Sequence, residues 1–258
     1  MLSKNKIKYI HSLELKKNRI SEGVFVAEGN KLVADMLPYF SCKLLLAKPC
    51  WMATQGDISA EELIVADEED VAKASFLKNP QDVLAVFYMP DWHLEEVSPH
   101  KKLVLALDGI QDPGNLGTIV RLADWFGIEH IVCSKDTVDV FNPKVVQATM
   151  GALAHVKVYY TDLTAYLTNC KEQAVPVYGT FLDGENMYER TLTSQGIVLM
   201  GNEGNGIRPE IGELVSERLY IPNYPSYRET AESLNVAIAT AVVCAEFRRR
   251  ERMKLDVK

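Results

Sequence analysis

The stretch Leu107-Asp108-Gly109-Ile110-Gln111-Asp112-Pro113-Gly114-Asn115-Leu116-Gly117-Thr118-Ile119-Val120-Arg121-Leu122-Ala123-Asp124-Trp125-Phe126-Gly127 decides the fold class of this chain. Residues 103–107, which lead into it, form an apolar run of the length of a buried strand, and Asp-Pro-Gly at 112–114 is turn chemistry. Leu116, Ile119, Val120 and Ala123 then recur at helical period until Gly127, a residue that stops helices. Open α/β sheets hold ligands where a strand passes through a glycine-bearing loop into a helix. The residues alone leave two readings open. In one, Asn115 caps the helix and Arg121 is a solvated side chain. In the other, both serve a ligand site from neighbouring helical turns.

Working outward, β-rich runs at 103–107, 130–133, 156–158, 176–180, 197–200 and 218–221 alternate with helical patterns, which predicts an α/β fold with a mainly parallel sheet over residues 103–258. Upstream, residues 3–19 read as one helix, 24–27, 43–47, 63–65 and 83–88 as strands, and 32–37 and 67–74 as helices. Residues 1–90 therefore form a smaller α/β unit. Residues 91–102, polar and next to Pro90 and Pro99, read as a linker. Residues 237–245 form a helix apolar on nearly every side, which predicts that it is covered all round, in the core or at a subunit interface.

An apolar share of 47% is enough for a sizeable core. No apolar run reaches the ~20 residues that span a bilayer. The N-terminus carries lysines and no apolar leader, so a cytoplasmic location away from membranes is expected. Five scattered cysteines without a Cys-x-x-Cys pair, and dispersed histidines, point to reduced thiols and no metal site. The net charge of −7 opposes polyanion binding except where cations cluster. They cluster at the two ends: Lys4, Lys6, Lys8, Lys16, Lys17 and Arg19, then Arg248, Arg249, Arg250, Arg252 and Lys254.

Two further junctions follow strands. Gly201-Asn202-Glu203-Gly204-Asn205-Gly206-Ile207 has the outer glycine spacing of a P-loop, but Ile207-Arg208 stands where Lys and Ser/Thr are required. Nucleotide hydrolysis is therefore rejected, and the absence of Gly-x-Gly-x-x-Gly leaves a dinucleotide-dependent oxidoreductase little support. A loop with three glycines still lets its backbone approach a small molecule closely. The last junction runs from Ile221-Pro222 to Ser233-Leu234-Asn235-Val236.

Together the three junctions, 112–121, 199–207 and 221–222 with 233–237, resemble the SpoU (TrmH-type) branch of the SPOUT RNA methyltransferases, in the family's order and approximate spacing. The first ninety residues, through Tyr9-Ile10, Leu13, Lys16-Lys17-Asn18-Arg19 and 25–29, resemble that family's ribosomal-protein-like RNA-binding domain. The resemblance implies a C-terminal trefoil knot, a homodimer, S-adenosyl-L-methionine as methyl donor, and transfer to a ribose 2′-hydroxyl of RNA, rRNA (23S above all) favoured over tRNA. It implies cofactor binding by Thr180, Gly201, Asn202, Gly204, Ile221, Pro222 and Leu234. It gives catalytic roles to Asn115, Arg121, Glu203, Ser233 and Asn235. Asn115 and Glu203 would orient Arg121 and the ribose, and Ser233 and Asn235 would hydrogen-bond within the site. Arginine's reference pKa is about 12.5–13.8, so two versions stand for Arg121: proton acceptor, or clamp on an RNA phosphate. RNA binding would rest on the two terminal basic clusters and a groove spanning the dimer. The loop at 223–232 is longer than the family's and lacks its glycine, and Leu122 stands where a Thr is frequent. The rival from another class is a non-catalytic RNA-binding or ribosome-assembly protein on the same fold.

Overall fold

The computed structural model describes residues 2–225, 228 and 231–255, the last four as backbone only; Ser226, Tyr227, Glu229 and Thr230 of the lengthened loop, and the Arg252 and Lys254 side chains, lie outside the described part. In chain order the elements are α1 (Lys4–Ser12), α2 (Lys16–Glu22), β1 (Val24–Glu28), α3 (Asn30–Met36), β2 (Cys42–Ala47), α4 (Pro49–Met52), β3 (Glu62–Val65), α5 (Glu68–Ala74), β4 (Val83–Tyr88), β5 (Leu103–Leu107), α6 (Pro113–Trp125), β6 (His130–Ser134), α7 (Pro143–Thr149), β7 (Lys157–Thr161), α8 (Leu163–Glu172), β8 (Val177–Asn186), β9 (Gly196–Met200), α9 (Pro209–Gly212), β10 (Glu217–Tyr220) and α10 (Val236–Leu255). They divide into two compact units.

The first unit holds Met1–Asp91 together with Asp139–Ala154. Its sheet has the order β1-β4-β2-β3, with β4 antiparallel to both β1 and β2 and β3 parallel to β2. The helix read over residues 3–19 is two helices. Its apolar spacing runs on unbroken, but Leu13 is buried while Leu15 is exposed, and α2 restarts at Lys16. Arg19 belongs to this unit's interior, not to an RNA-facing surface. It is 1% exposed, donates from Nη1 to the carbonyls of Leu13 and Glu14, and pairs through Nη2 with Asp139 at 2.5 Å. Phe141 stacks on Phe25, with ring centroids 4.8 Å apart, so the α7 segment is part of this unit's core. An ammonium cannot reproduce that fork. Arg19→Lys is expected to leave a buried carbonyl unpaired and cost about 1–3 kcal/mol, read as a shift in the denaturant midpoint. A midpoint within error of wild type would contradict it.

The second unit holds Trp92–Val138 and His155–Lys258. The segment read as a linker is packed in it: Trp92, Leu94 and Val97 lie against the core formed by Val104, Ala106, Ile197 and Leu199. Every pair in the second sheet is parallel, in the order β10-β8-β9-β5-β6-β7. The runs LVLAL, HIVCS and GIVLM are buried at every position, as expected of parallel strands covered on both faces. From β5 the chain builds outward through β6 and β7, then crosses back to place β9, β8 and β10 on the other side. The switch point therefore lies at the carboxyl ends of β5 and β9, where open sheets place ligands. The strand read at 176–180 continues to Asn186, but residues 180–184 loop out of register, since Arg218 pairs with Gly179 and Leu219 with Glu185.

α6 is capped by Asp112, whose carboxylate accepts from the Asn115 amide at 2.8 Å, so Asn115 is not the cap. At its other end Gly127 takes φ +63°, and Arg248 of α10 donates to the carbonyls of Phe126 and Gly127. Arg249 and Arg250 both grip Glu246, which is 5% exposed. Each described arginine of the C-terminal cluster therefore has a partner within the chain, although Arg249 stays exposed. α10 packs on α6, and within this chain Ile238 is 55% exposed and Ala245 is also exposed, so of the two places expected for this helix full burial in the core is not the one it takes. All five cysteines are free thiols, and four are buried; burial pushes Cys42 up to about 11 and Cys244 to about 12.

Candidate active site

Three segments of the second unit converge at the switch point. The 201–206 loop leaves β9 with its ends drawn together, because the Asn202 and Gly206 amides each donate to the other's carbonyl, at 2.9 and 3.0 Å. That closure requires glycine at 201: a Cβ there would sit 2.3 Å from backbone atoms of Gly206 and Ile207. The looped-out residues 180–182 supply a second wall. Residues 219–223 and 231–239 supply the third. Between them lies a cavity of about 510 Å³, within the range of small-molecule sites. One wall is apolar (Phe181, Leu219, Ile221, Leu234, Val236), and the other is the glycine loop.

Asn115, Glu203 and Asn235 are joined in one chain of hydrogen bonds. Asn235 Nδ2 donates to Asn115 Oδ1 at 2.9 Å, and Asn115 Nδ2 donates to Glu203 Oε1 at 3.0 Å. Glu203 also accepts from the backbone amides of Gln111 and Asp112, each at 3.3 Å, and from Asn202 Nδ2 at 3.4 Å. Every partner of this carboxylate is thus a donor, which ties the 201–206 loop to the start of α6. Asn235 Oδ1 accepts from the amides of Ala237 and Ile238 at the start of α10, so this side chain also fixes a helix end.

Of the cofactor residues expected from sequence, Thr180, Gly201, Asn202, Gly204, Ile221, Pro222 and Leu234 all line the cavity, with Glu203 and Ser233. Thr180 Oγ1 lies 3.8 Å from the Met200 sulfur. The Asn202 amide is used up within the protein: Nδ2 donates to the Gly109 carbonyl at 2.6 Å, and Oδ1 accepts from the amides of Gly204 and Asn205. Ser233 is exposed and makes no hydrogen bond among the described residues. Arg121 is not brought to the Asn115–Glu203 pair. It is exposed and has no hydrogen bond or ion pair among the described residues. Six residues of helix place it about 9 Å further along the axis, turned about 120° away.

Beside the site lie charged groups that belong to no sequence motif. Asp108 is 1% exposed at the end of β5 and is held by Arg208, from its amide to Oδ2 at 2.8 Å and from Nε to Oδ1 at 2.7 Å. That contact raises the Arg208 guanidinium above its ordinary range, and the Ser134 hydroxyl holds Asp136, beside it, below the usual carboxylate range. The only sequence signal was an acid ending an apolar strand, where burial forces it to find a partner. Phe181 and Leu182 had none, because a strand run does not show where its register breaks.

Fold and site together define an all-parallel α/β domain with a small-molecule cavity in glycine-rich loops at the carboxyl edge of its sheet, in one chain with a smaller mixed-sheet unit. The chain belongs to the SpoU rRNA methylase family, whose model matches residues 102–245, more than half of it. Residues 4–85 match the MRM3-like substrate binding domain. The chain is 33% identical over 245 residues to the 23S rRNA (guanosine(2553)-2′-O)-methyltransferase RlmP of Bacillus subtilis, covering 94% of this chain and 96% of that one. A TrmH-family structure from Porphyromonas gingivalis superposes with a TM-score of 0.89 at 43% identity, over 97% of this chain and 99% of that one. An AdoMet-bound rRNA methyltransferase from Sinorhizobium meliloti superposes with a TM-score of 0.82 at 31% identity, over 97% and 96%.

Proposed function

We propose that the protein is an S-adenosylmethionine-dependent RNA methyltransferase that modifies a ribose 2′-hydroxyl, with 23S rRNA as substrate. One observation carries this reading: two of the segments that enclose the cavity carry Glu203 and Asn235, and both side chains bind Asn115 in the first turn of α6, which ties the cavity wall to that helix. The residues present fit the donor. Gly201 lets the loop close upon itself, and an apolar wall faces a polar one. Thr180, Gly201, Gly204, Ile221, Pro222 and Leu234 would hold it. When bound, the donor supplies an electrophilic methyl on a sulfonium, a chemistry that needs in-line alignment of the hydroxyl. Asn115 would offer a fixed amide to the incoming ribose, its orientation set by one donor, Asn235, and one acceptor, Glu203. Arg121, exposed and uncommitted among the described residues, clamps an RNA phosphate.

RNA is taken by the first unit, through the exposed Lys4, Lys8 and Lys17. The similarity of residues 4–85 to a substrate binding domain supports that assignment. A second copy covers the α6–α10 face, where Trp125 (83%) and Ile238 are exposed. Sedimentation equilibrium checks this: a monomer at all concentrations contradicts it. On this reading the C-terminal part of the second unit carries the trefoil knot that the resemblance implies, and the protein works in the cytoplasm. Calorimetric titration with S-adenosylmethionine tests the reading. Saturable one-site binding is expected. Absence of binding contradicts it and favours a non-catalytic RNA-binding protein.

A further inference from the structure

We propose that the Asp108–Arg208 ion pair, with the Asn202 side chain, is a latch that holds the 201–206 loop in the shape that takes the methyl donor, which makes Asp108 and Arg208 positioning residues although neither lines the cavity. The inference rests on the reading above that this loop binds the donor.

A loop with glycine at 201, 204 and 206 has wide conformational freedom and keeps one shape only if restrained from outside. The restraints are at its two ends and in its middle. It begins at β9, which is fixed in the sheet beside β5. It ends at Arg208, which binds Asp108 through its own amide and its guanidinium, the Nη2 contact being 2.5 Å. In between, Asn202 reaches the Gly109 carbonyl and gathers the amides of Gly204 and Asn205. Asp108 and Gly109 are consecutive, and Gly109 is itself pinned, its amide donating to Ser134 Oγ at 2.8 Å. The same two residues open the loop that carries Gln111 and Asp112 and leads into Asn115 in the first turn of α6. Donor wall and acceptor-side network therefore share one anchor. A buried carboxylate survives only with a full set of partners, and Arg208 supplies them. Asp136, 3.5 Å from Nη2, is a secondary partner of Arg208.

Arg208→Lys keeps the charge and the backbone contact but removes the fork; Asp108→Asn keeps the shape and removes the charge. Amide exchange is measured in the donor-free proteins, together with donor Kd, kcat and the KM for RNA. In both variants the amides of Gly204, Asn205 and Gly206 are expected to exchange at least about tenfold faster, while those of β5 and β9 stay protected. Donor Kd weakens about tenfold, kcat falls, and KM for RNA stays within about twofold. Wild-type loop exchange and donor Kd in both variants would overturn the latch. So would faster exchange spread over the whole sheet, which marks a role in stability alone. If the wild-type protein itself binds no donor, the functional reading fails, and the exchange comparison still decides the latch.

Discussion

Gly201→Ala is expected to abolish donor binding in a protein that still folds. The atoms that a Cβ would meet, at 2.3 to 2.6 Å, are the Gly206 carbonyl and the Ile207 nitrogen, all backbone. No rotamer change relieves such a contact. The reciprocal hydrogen bonds between Asn202 and Gly206 must break, and the loop that forms one side of the cavity must open. The loss in affinity is expected to be at least about a hundredfold, about 2.8 kcal/mol. The overpacking cost to stability stays within about 1–3 kcal/mol, because the sheet is held elsewhere. Gly56→Ala is the control, since a Cβ there meets nothing within 4 Å. Calorimetric titration and circular dichroism check both variants. Wild-type donor affinity in Gly201→Ala would show that the loop does not form the donor site.

Glu203→Gln is expected to separate transfer from binding. All four partners of this carboxylate are donors, two at each oxygen. A glutamine amide offers one oxygen and turns an NH₂ group toward the other two N–H groups. Whichever way it is oriented, either the Asn115 side chain and the Asp112 amide, or the Gln111 amide and Asn202, lose their acceptor. The loop stays closed through Asn202 and Arg208, so donor affinity changes little. Either way half of the bonds that tie the 201–206 loop to the start of α6 are lost, Asn115 is held less firmly, and misplacement of that kind costs about a hundredfold in kcat. Single-turnover methyl transfer at saturating donor is the measurement. Equal rates for Glu203→Gln and wild type would mean that the carboxylate is only a surface acid.

The central strands β5, β6 and β9 were readable because each is a short apolar run buried at every position, and such runs announce themselves without any knowledge of partners. The 107–127 stretch likewise showed its strand, turn and helix, but not its cap, since Asp112 and Asn115 are both capping residues and only geometry separates them. Periodicity describes an element's own face and says nothing of what covers it. That is why the α7 segment could not be assigned to the first unit, nor Trp92, Leu94 and Val97 to the second core. Charge clusters misled for the same reason. Arg19 and Arg248 to Arg250 look like solvated cations in the sequence, yet each is spent on a carbonyl or carboxylate that lies far along the chain or on the next helical turn. The loops that line the cavity could be named from the resemblance. The Asp108–Arg208 pair spans 100 residues and belongs to no short pattern.

The most direct measurement is transfer of labelled methyl from S-adenosylmethionine to unmodified transcripts of 23S rRNA, 16S rRNA and tRNA, with the product mapped to a nucleotide. Label on 23S rRNA, carried by a ribose 2′-oxygen and lost in Arg121→Ala, is the expected result. Label on a base, or undiminished transfer by Arg121→Ala, would contradict the proposed reaction and its phosphate clamp, and the absence of label from every RNA would contradict the enzyme itself.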